Sequence, residues 1–230
     1  MALEYFFSSS LSSLLGSAFY KNGQDNKAIE YHEKALQIRL NIYGNNHADV
    51  AISCFNLGAA YYNKRMYDKA SDYYEKTLKI RLEIFGMNHI GVALSYFYLG
   101  ATHYNKGKYD KAIEFYEKAL QIRLELFGTN HVDVADSYYY LGNTYSSDEK
   151  FDKSIEYHEK SLQIRKQIFK KENKDIGDSN WNLGWAFEQK REKKIACKYY
   201  EEAWKIYDKV LGEWNIATMH AKIKVKELIE

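Results

Sequence analysis

The chain has 230 residues, 46% of them apolar and 28% charged, with a formal net charge of +2. That is an ordinary composition for a soluble folded chain. So small a charge excess gives no electrostatic ground for binding nucleic acid or a membrane surface. Proline is absent, which suits a chain built from helices, because proline breaks helix interiors.

The first element is expected within Met1 to Tyr20, a Ser-rich and fairly apolar stretch. No Lys or Arg precedes Lys21, so the basic start of a signal peptide is missing. No apolar run approaches the ~20 residues that a membrane-spanning helix needs. Leu15-Gly16 in this stretch opens a beat that returns as Leu57-Gly58, Leu99-Gly100, Leu141-Gly142 and Leu183-Gly184, each 42 residues after the last. Self-similarity at a fixed period of this size marks a solenoid. The beat places repeats at about 9–50, 51–92, 93–134, 135–176 and 177–218. They form a single domain over 1–230, closed by a polar-faced capping helix at about 215–230.

The third repeat shows the anatomy. Tyr96, Leu99, Gly100 and His103 recur at helical spacing. Asn105-Lys106-Gly107-Lys108 then breaks the pattern as a turn. A second helix is predicted from Asp110 to Phe127, with Ala112, Ile113, Tyr116, Ala119, Leu120 and Ile122 on one face. Gly128 ends it as a C-cap. Small residues let paired helices approach, and here Gly100, Ala112 and Ala119 supply them. The same role falls to Gly58, Ala70 and Thr77, to Gly142, Ser154 and Ser161, and to Gly184, Ala196 and Ala203. On the outer face, Glu30/Lys34, Asp72/Lys76, Glu114/Lys118 and Glu156/Lys160 are acid-then-base pairs of the kind favoured on exposed helices.

The order Leu-Gly, aromatic, Gly-Lys-Tyr, then Ala-Ile-Glu-Phe-Tyr-Glu-Lys-Ala-Leu resembles the tetratricopeptide repeat (TPR). The 42-residue period and the segment Leu120 to Ala135 are similar to the kinesin light chain type of repeat. The resemblance covers nearly the whole chain. It implies an all-α fold, a right-handed superhelical α-solenoid of five helical hairpins plus a C-terminal cap. One departure stands out. Ala48, Ile90 and Val132 occupy positions where that type has proline, so those helix starts are less rigid. Units one and five are the most degenerate, as terminal repeats often are.

Catalytic or metal chemistry finds no support. His47, His89 and His131 sit in successive stacked units, on the order of 10 Å apart, whereas zinc ligands converge within about 2 Å of one centre. They are expected to be structural, near helix N-termini, with Asp49 and Asp133 adding favourable first-turn charge. Arg39, Arg81, Arg123 and Arg165 recur eight residues before the histidine register and are expected to tie the second helix to the linker loop. His32-Glu33 and His158-Glu159 lack the second histidine of a zinc-protease motif, since Leu36 and Leu162 stand there. Cys54 and Cys197 read as unbridged thiols of a reducing compartment. We therefore expect no enzyme activity, no cofactor, no metal and no small-molecule substrate.

The resemblance places the first helix of each unit on a concave groove. That face carries Phe55, Asn56, Tyr62 and Asn63 in unit two, and Phe97, Tyr98, Tyr104 and Asn105 in unit three. Tyr139, Tyr140 and Asn143 follow in unit four, and Trp181, Asn182 and Trp185 in unit five. Aromatics interleaved with asparagine suit a peptide strip: rings supply contact area at low entropy cost, and the amide both donates and accepts. In the kinesin light chain resemblance, asparagines at the positions of Asn56, Asn63, Asn105 and Asn182 contact peptide. Asp136, Asp178 and Glu188 on this face argue against a preference for acidic peptides, and the lysine/arginine clamp of the chaperone-tail type of groove is missing. The expected function is a non-catalytic, cytoplasmic scaffold for a protein or peptide partner, with no membrane insertion. A regulatory or sensor fragment of a larger protein is the alternative. A weaker one is RNA binding through Arg165, Lys166, Lys170, Lys171, Lys174, Lys190, Arg191, Lys193 and Lys194.

Overall fold

The computed structural model describes residues 2–229, so Met1 and Glu230, the ends of the expected domain, lie outside the described residues. Among the described residues there are eleven helices and no strand. They are α1 (Ala2–Lys21), α2 (Asp25–Tyr43), α3 (Ala48–Asn63), α4 (Tyr67–Phe85), α5 (Ile90–Asn105), α6 (Tyr109–Phe127), α7 (Val132–Ser147), α8 (Phe151–Ile168), α9 (Lys174–Gln189), α10 (Lys193–Leu211) and α11 (Ile216–Ile229). Two compact units divide at Ile122/Arg123, inside α6. In the first, α1 packs on α2, α2 on α3, α3 on α4 and α4 on α5. In the second, the sequential stack runs from α7 to α11. This is an all-α helical solenoid, as the 42-residue beat and the tetratricopeptide resemblance imply.

The leucine of the beat is core in four units. Leu57, Leu99, Leu141 and Leu183 are all 0% exposed. The glycine has a more specific partner than a neighbouring small residue. A Cβ added to Gly58 would lie 2.7 Å from Tyr74, one on Gly100 2.8 Å from Tyr116, and one on Gly184 2.8 Å from Tyr200. At Gly16 and Gly142 the blocking ring is His32 or His158, each at 2.7 Å. The first helix thus carries a socket for a ring sixteen residues later on the second helix. Two of the other small residues also meet backbone: Ser161 Oγ donates to Ala135 O of the facing helix at 2.8 Å, and Thr77 Oγ1 lies 2.9 Å from Tyr73 O and 3.4 Å from Ala51 O.

Two sockets hold titratable rings. Burial lowers the His32 pKa to about 4 and the His158 pKa to about 3, with Arg39 and Arg165 respectively adding repulsion. Both rings are neutral in the folded state where an unfolded histidine, near 6.5, would take up a proton. Stability is therefore lost as pH falls below about 6.5, by up to about 1.4 kcal/mol per pH unit for each histidine, until the folded pKa is reached. Tyr74, Tyr116 and Tyr200 fill the same register. Hence His158→Tyr should retain the fold and recover about 2 kcal/mol of the loss between pH 7.5 and 5. Urea unfolding at the two pH values measures this, and an unchanged pH slope would exclude His158 as a source.

Helix ends follow the sequence signals. His47, His89 and His131 cap α3, α5 and α7 by accepting the backbone N–H two residues on at Nδ1, at 3.1, 3.0 and 3.2 Å. Each ring also stacks on the aromatic four residues before it: Tyr43, Phe85 or Phe127. The histidine caps hold the helix starts that lack proline. Gly44, Gly86 and Gly128 end α2, α4 and α6 at φ of 72–73°, a left-handed value that favours glycine. Lys170 stands in that register in the fourth repeat, and there α8 stops at Ile168 with Phe169 extended.

Two expectations need correction. The recurring arginine reaches past the loop into the next helix. Nη1 of Arg39 donates to Asp49 O and Ser53 Oγ, that of Arg81 to Gly91 O and Ser95 Oγ, and that of Arg123 to Asp133 O and Ser137 Oγ. A guanidinium fork can serve two acceptors at once, which is what lets it pin the first turn and the second turn together. The terminal helix α11 is not polar-faced. Trp214 is 83% exposed before it, and Ile216 and Ile223 are 66% and 51% exposed along it. Lys226 occupies the glycine register on α11, so a ring could not seat there as it does at Gly184.

Candidate functional site

The strip residues of the first unit lie on α3 and α5. Phe55 is half-buried, edge-on to Tyr98 with centroids 5.1 Å apart and tilted against Tyr74 at 5.5 Å. The Arg81 guanidinium stands 4.9 Å over its ring. Phe97 packs on Tyr116 at 5.3 Å. Both rings are half-buried in helix packing. The ends of the two helices are different. Asn63 and Asn105 are exposed, beside half-buried Tyr62 and Tyr104. Asn105 Nδ2 donates to Tyr62 OH at 2.7 Å and to Ala101 O at 2.9 Å. Asn63 makes the matching side-chain hydrogen bond to Tyr20, whose hydroxyl pKa is raised chiefly by burial. Asn56 is half-buried.

In the second unit the strip residues lie on α7 and α9. Tyr139 packs on His158 at 5.6 Å, under the Arg165 guanidinium at 4.6 Å. Tyr140 is 39% exposed. Asn182 Nδ2 donates to Asn143 Oδ1 at 2.8 Å, linking the two helices as Asn105 links α5 to α3. Trp181 sits against Tyr200 at 4.9 Å, and Trp185 against Phe151 at 5.8 Å. The structure thus gives the strip rings a double part, half in helix packing and half at the surface.

The acids of this face are held by other side chains. Asp136 accepts from Arg165 Nη2 at 2.7 Å, and Asp178 from Tyr207 OH at 2.8 Å and Lys174 Nζ at 2.6 Å. Glu188 accepts from Tyr200 OH and Lys224 Nζ; those bonds keep its carboxyl below the usual range against the opposing effect of burial. The basic stretch is also reduced. Arg165 is 4% exposed and is a structural clamp, while Lys174 and Lys190 are in ion pairs. Among the described residues no group of His, Cys, Asp and Glu could hold a metal ion, and no helix is long and apolar enough to cross a membrane.

The link from Arg to Ser fourteen residues on was visible in the sequence as Arg39/Ser53, Arg81/Ser95, Arg123/Ser137 and Arg165/Ser179, and was missed. So was the pairing of each beat glycine with a ring sixteen residues later.

Comparison with known proteins agrees with this anatomy. Among solved structures, the chain is similar to BtubC (BKLC) from P. vanneervenii, with a TM-score of 0.77 and 25% identity over 85% of this chain and 78% of that one. It is also similar to a putative kinesin light chain with nearly identical TPR-like repeats from Podosopora anserina, with a TM-score of 0.77 and 20% identity over 88% and 97%. The apo form of RapI superposes with a TM-score of 0.78 at 16% identity over 98% and 83%. The last two likenesses show the fold alone. A search of curated proteins gives no match. Two family models, both described as tetratricopeptide repeat, match residues 7–83 and 91–167 and residues 177–209, well over half of the chain. The chain belongs to the tetratricopeptide repeat family.

Proposed function

We propose that the protein is a non-catalytic interaction scaffold whose first helices bind an extended peptide or a partner helix through the Tyr/Asn strip. Membership of a family of interaction repeats supports a protein partner. The observation that carries the reading is the 2.7 Å bond from Asn105 to Tyr62 at an exposed site between two helices. It holds an amide and a phenol in one arrangement before any partner arrives, and preordered side chains lose less entropy on binding. Tyr104 lies beside them and supplies a ring of the kind that anchors interfaces. Unbridged Cys54 and Cys197 fit a reducing, cytoplasmic setting.

The test is affinity capture with mass spectrometry, comparing the natural chain with Tyr104→Ala/Asn105→Ala after circular dichroism shows equal helicity. Specific partners should fall at least ~10-fold, the loss expected when a binding hot spot is removed. Full recovery of every partner by the double variant would defeat the strip assignment.

A further inference from the structure

The register exposes a gap. At the position of Cys54, the third repeat has Tyr96 and the fourth Tyr138. Tyr96 lies against Phe115, with Lys118 Nζ 5.7 Å over its ring. Tyr138 lies against Tyr157, with Lys160 Nζ again 5.7 Å over its ring. In the second repeat the same two partners are present, as Tyr73 and Lys76, but the ring between them is not. The fifth repeat has Asn180 there, whose amide turns back to bond Ile176 O at 2.8 Å.

Around Cys54 the structure has a cavity of about 430 Å³, lined among others by Leu36, Val50, Tyr73, Lys76 and Ile80. Its size is within the range of small-molecule sites, and its wall is mostly apolar, with Lys76, Lys79 and Glu83 as charged groups at its edge. The cavity lies wholly within the first unit. Cys54 is 4% exposed and forms part of its wall.

We propose that this cavity binds a phenol-type aromatic ring, which takes the place that Tyr96 and Tyr138 fill in the next two repeats. Apolar side chains enclose the ring body, Tyr73 offers a ring contact, and Lys76 stacks as its counterparts do. The ring can come from a free phenol or from a tyrosine of a peptide. This site is independent of the Tyr/Asn strip.

The test measures protection of a thiol. The folded protein is labelled with methyl methanethiosulfonate, and Cys54 and Cys197 are followed separately by mass spectrometry, with p-cresol as the probe. At ~10 mM, p-cresol should slow labelling of Cys54 several-fold, consistent with the modest affinity available to so few atoms, and leave Cys197 unchanged. Saturation-transfer NMR should detect p-cresol on the natural chain and on Cys54→Ala, and not on Cys54→Tyr, which supplies the missing ring covalently. N-acetyl-tyrosinamide protecting as well as p-cresol would assign the site to peptide tyrosine; protection by p-cresol alone would assign it to free phenols. Equal slowing at Cys54 and Cys197, equal protection by cyclohexanol, or undiminished p-cresol binding to folded Cys54→Tyr would each overturn the proposal.

Discussion

Arg165→Met should lower the unfolding free energy by about 3 kcal/mol, the low end of the range for breaking a buried charged pair. The side chain is enclosed at 4% exposure. Its Nη1 donates to Asp175 O at 2.8 Å and Ser179 Oγ at 2.9 Å, and Nη2 donates to Asp136 Oδ1 at 2.7 Å. Methionine keeps much of the volume and none of the donors. Hydrogen bonds to a charged group are worth about 1.5–3 kcal/mol each, but Asp136 is partly exposed and regains water when released, which holds the total down. Arg81 is the internal control. It makes the two bonds to Gly91 O and Ser95 Oγ, is only half-buried, and forms no ion pair with an acid among the described residues. Arg81→Met should therefore cost about half as much. Arg165→Lys should not rescue, because its single nitrogen cannot stand at both Nη positions that the planar fork fills. The change also reaches the strip: the guanidinium lies over Tyr139, and without it Asp136 returns to the surface as an unpaired acid. Urea denaturation followed by circular dichroism gives the comparison. If Arg165→Met cost no more than Arg81→Met, the ion pair with Asp136 would contribute nothing to the clamp.

What could be read from the sequence was whatever repeats every 42 residues. The Leu-Gly beat, the histidine caps and the C-cap glycines each recur three to five times, so their register is fixed and their local chemistry decides the structure. The period also fixed which residues share the strip. It could not fix how deep they sit, because one helical face serves both packing and surface. Phe55 and Asn63 lie on that face, yet Phe55 is wedged between Tyr74 and Tyr98 while Asn63 is exposed. The basic stretch misled for a related reason. Nearness in sequence groups Arg165 with Lys166, but successive helical residues point about 100° apart, and only Arg165 turns inward. The reading of α11 as polar-faced misled because, among the described residues, it packs on α10, and Ile216 and Ile223 stay exposed although their spacing is that of a core face. The gap at Cys54 was open to view by alignment of the repeats, and only the cavity shows that no other side chain among the described residues fills it.

Gly184→Val should be the most damaging of the single substitutions considered, at 3 kcal/mol or more, roughly the upper end for an overfilled core. Two effects oppose one another at this site. Glycine inside a helix costs about 1 kcal/mol relative to alanine, so helix propensity favours replacing it. A Cβ would meet Tyr200 at 2.8, 2.9 and 3.0 Å from three ring atoms, closer than carbon atoms tolerate. The result depends on whether the ring can yield. Tyr200 is 0% exposed, its hydroxyl donates to Glu188 at 2.7 Å, and Trp181 lies against it at 4.9 Å. Held at its end and its flank, the ring cannot swing away, and the helices α9 and α10 must separate instead. Sterics should therefore win even for the smallest side chain, with Gly184→Ala destabilising by about 1–2 kcal/mol despite its propensity gain. The competition can be reversed. In a Tyr200→Ala background the socket is empty, and Gly184→Ala should then stabilise by about 1 kcal/mol, its propensity alone. That change of sign in a double-mutant cycle distinguishes a ring socket from a general need for a flexible helix. A destabilising Gly184→Ala in both backgrounds would mean that the glycine serves the backbone and not the ring.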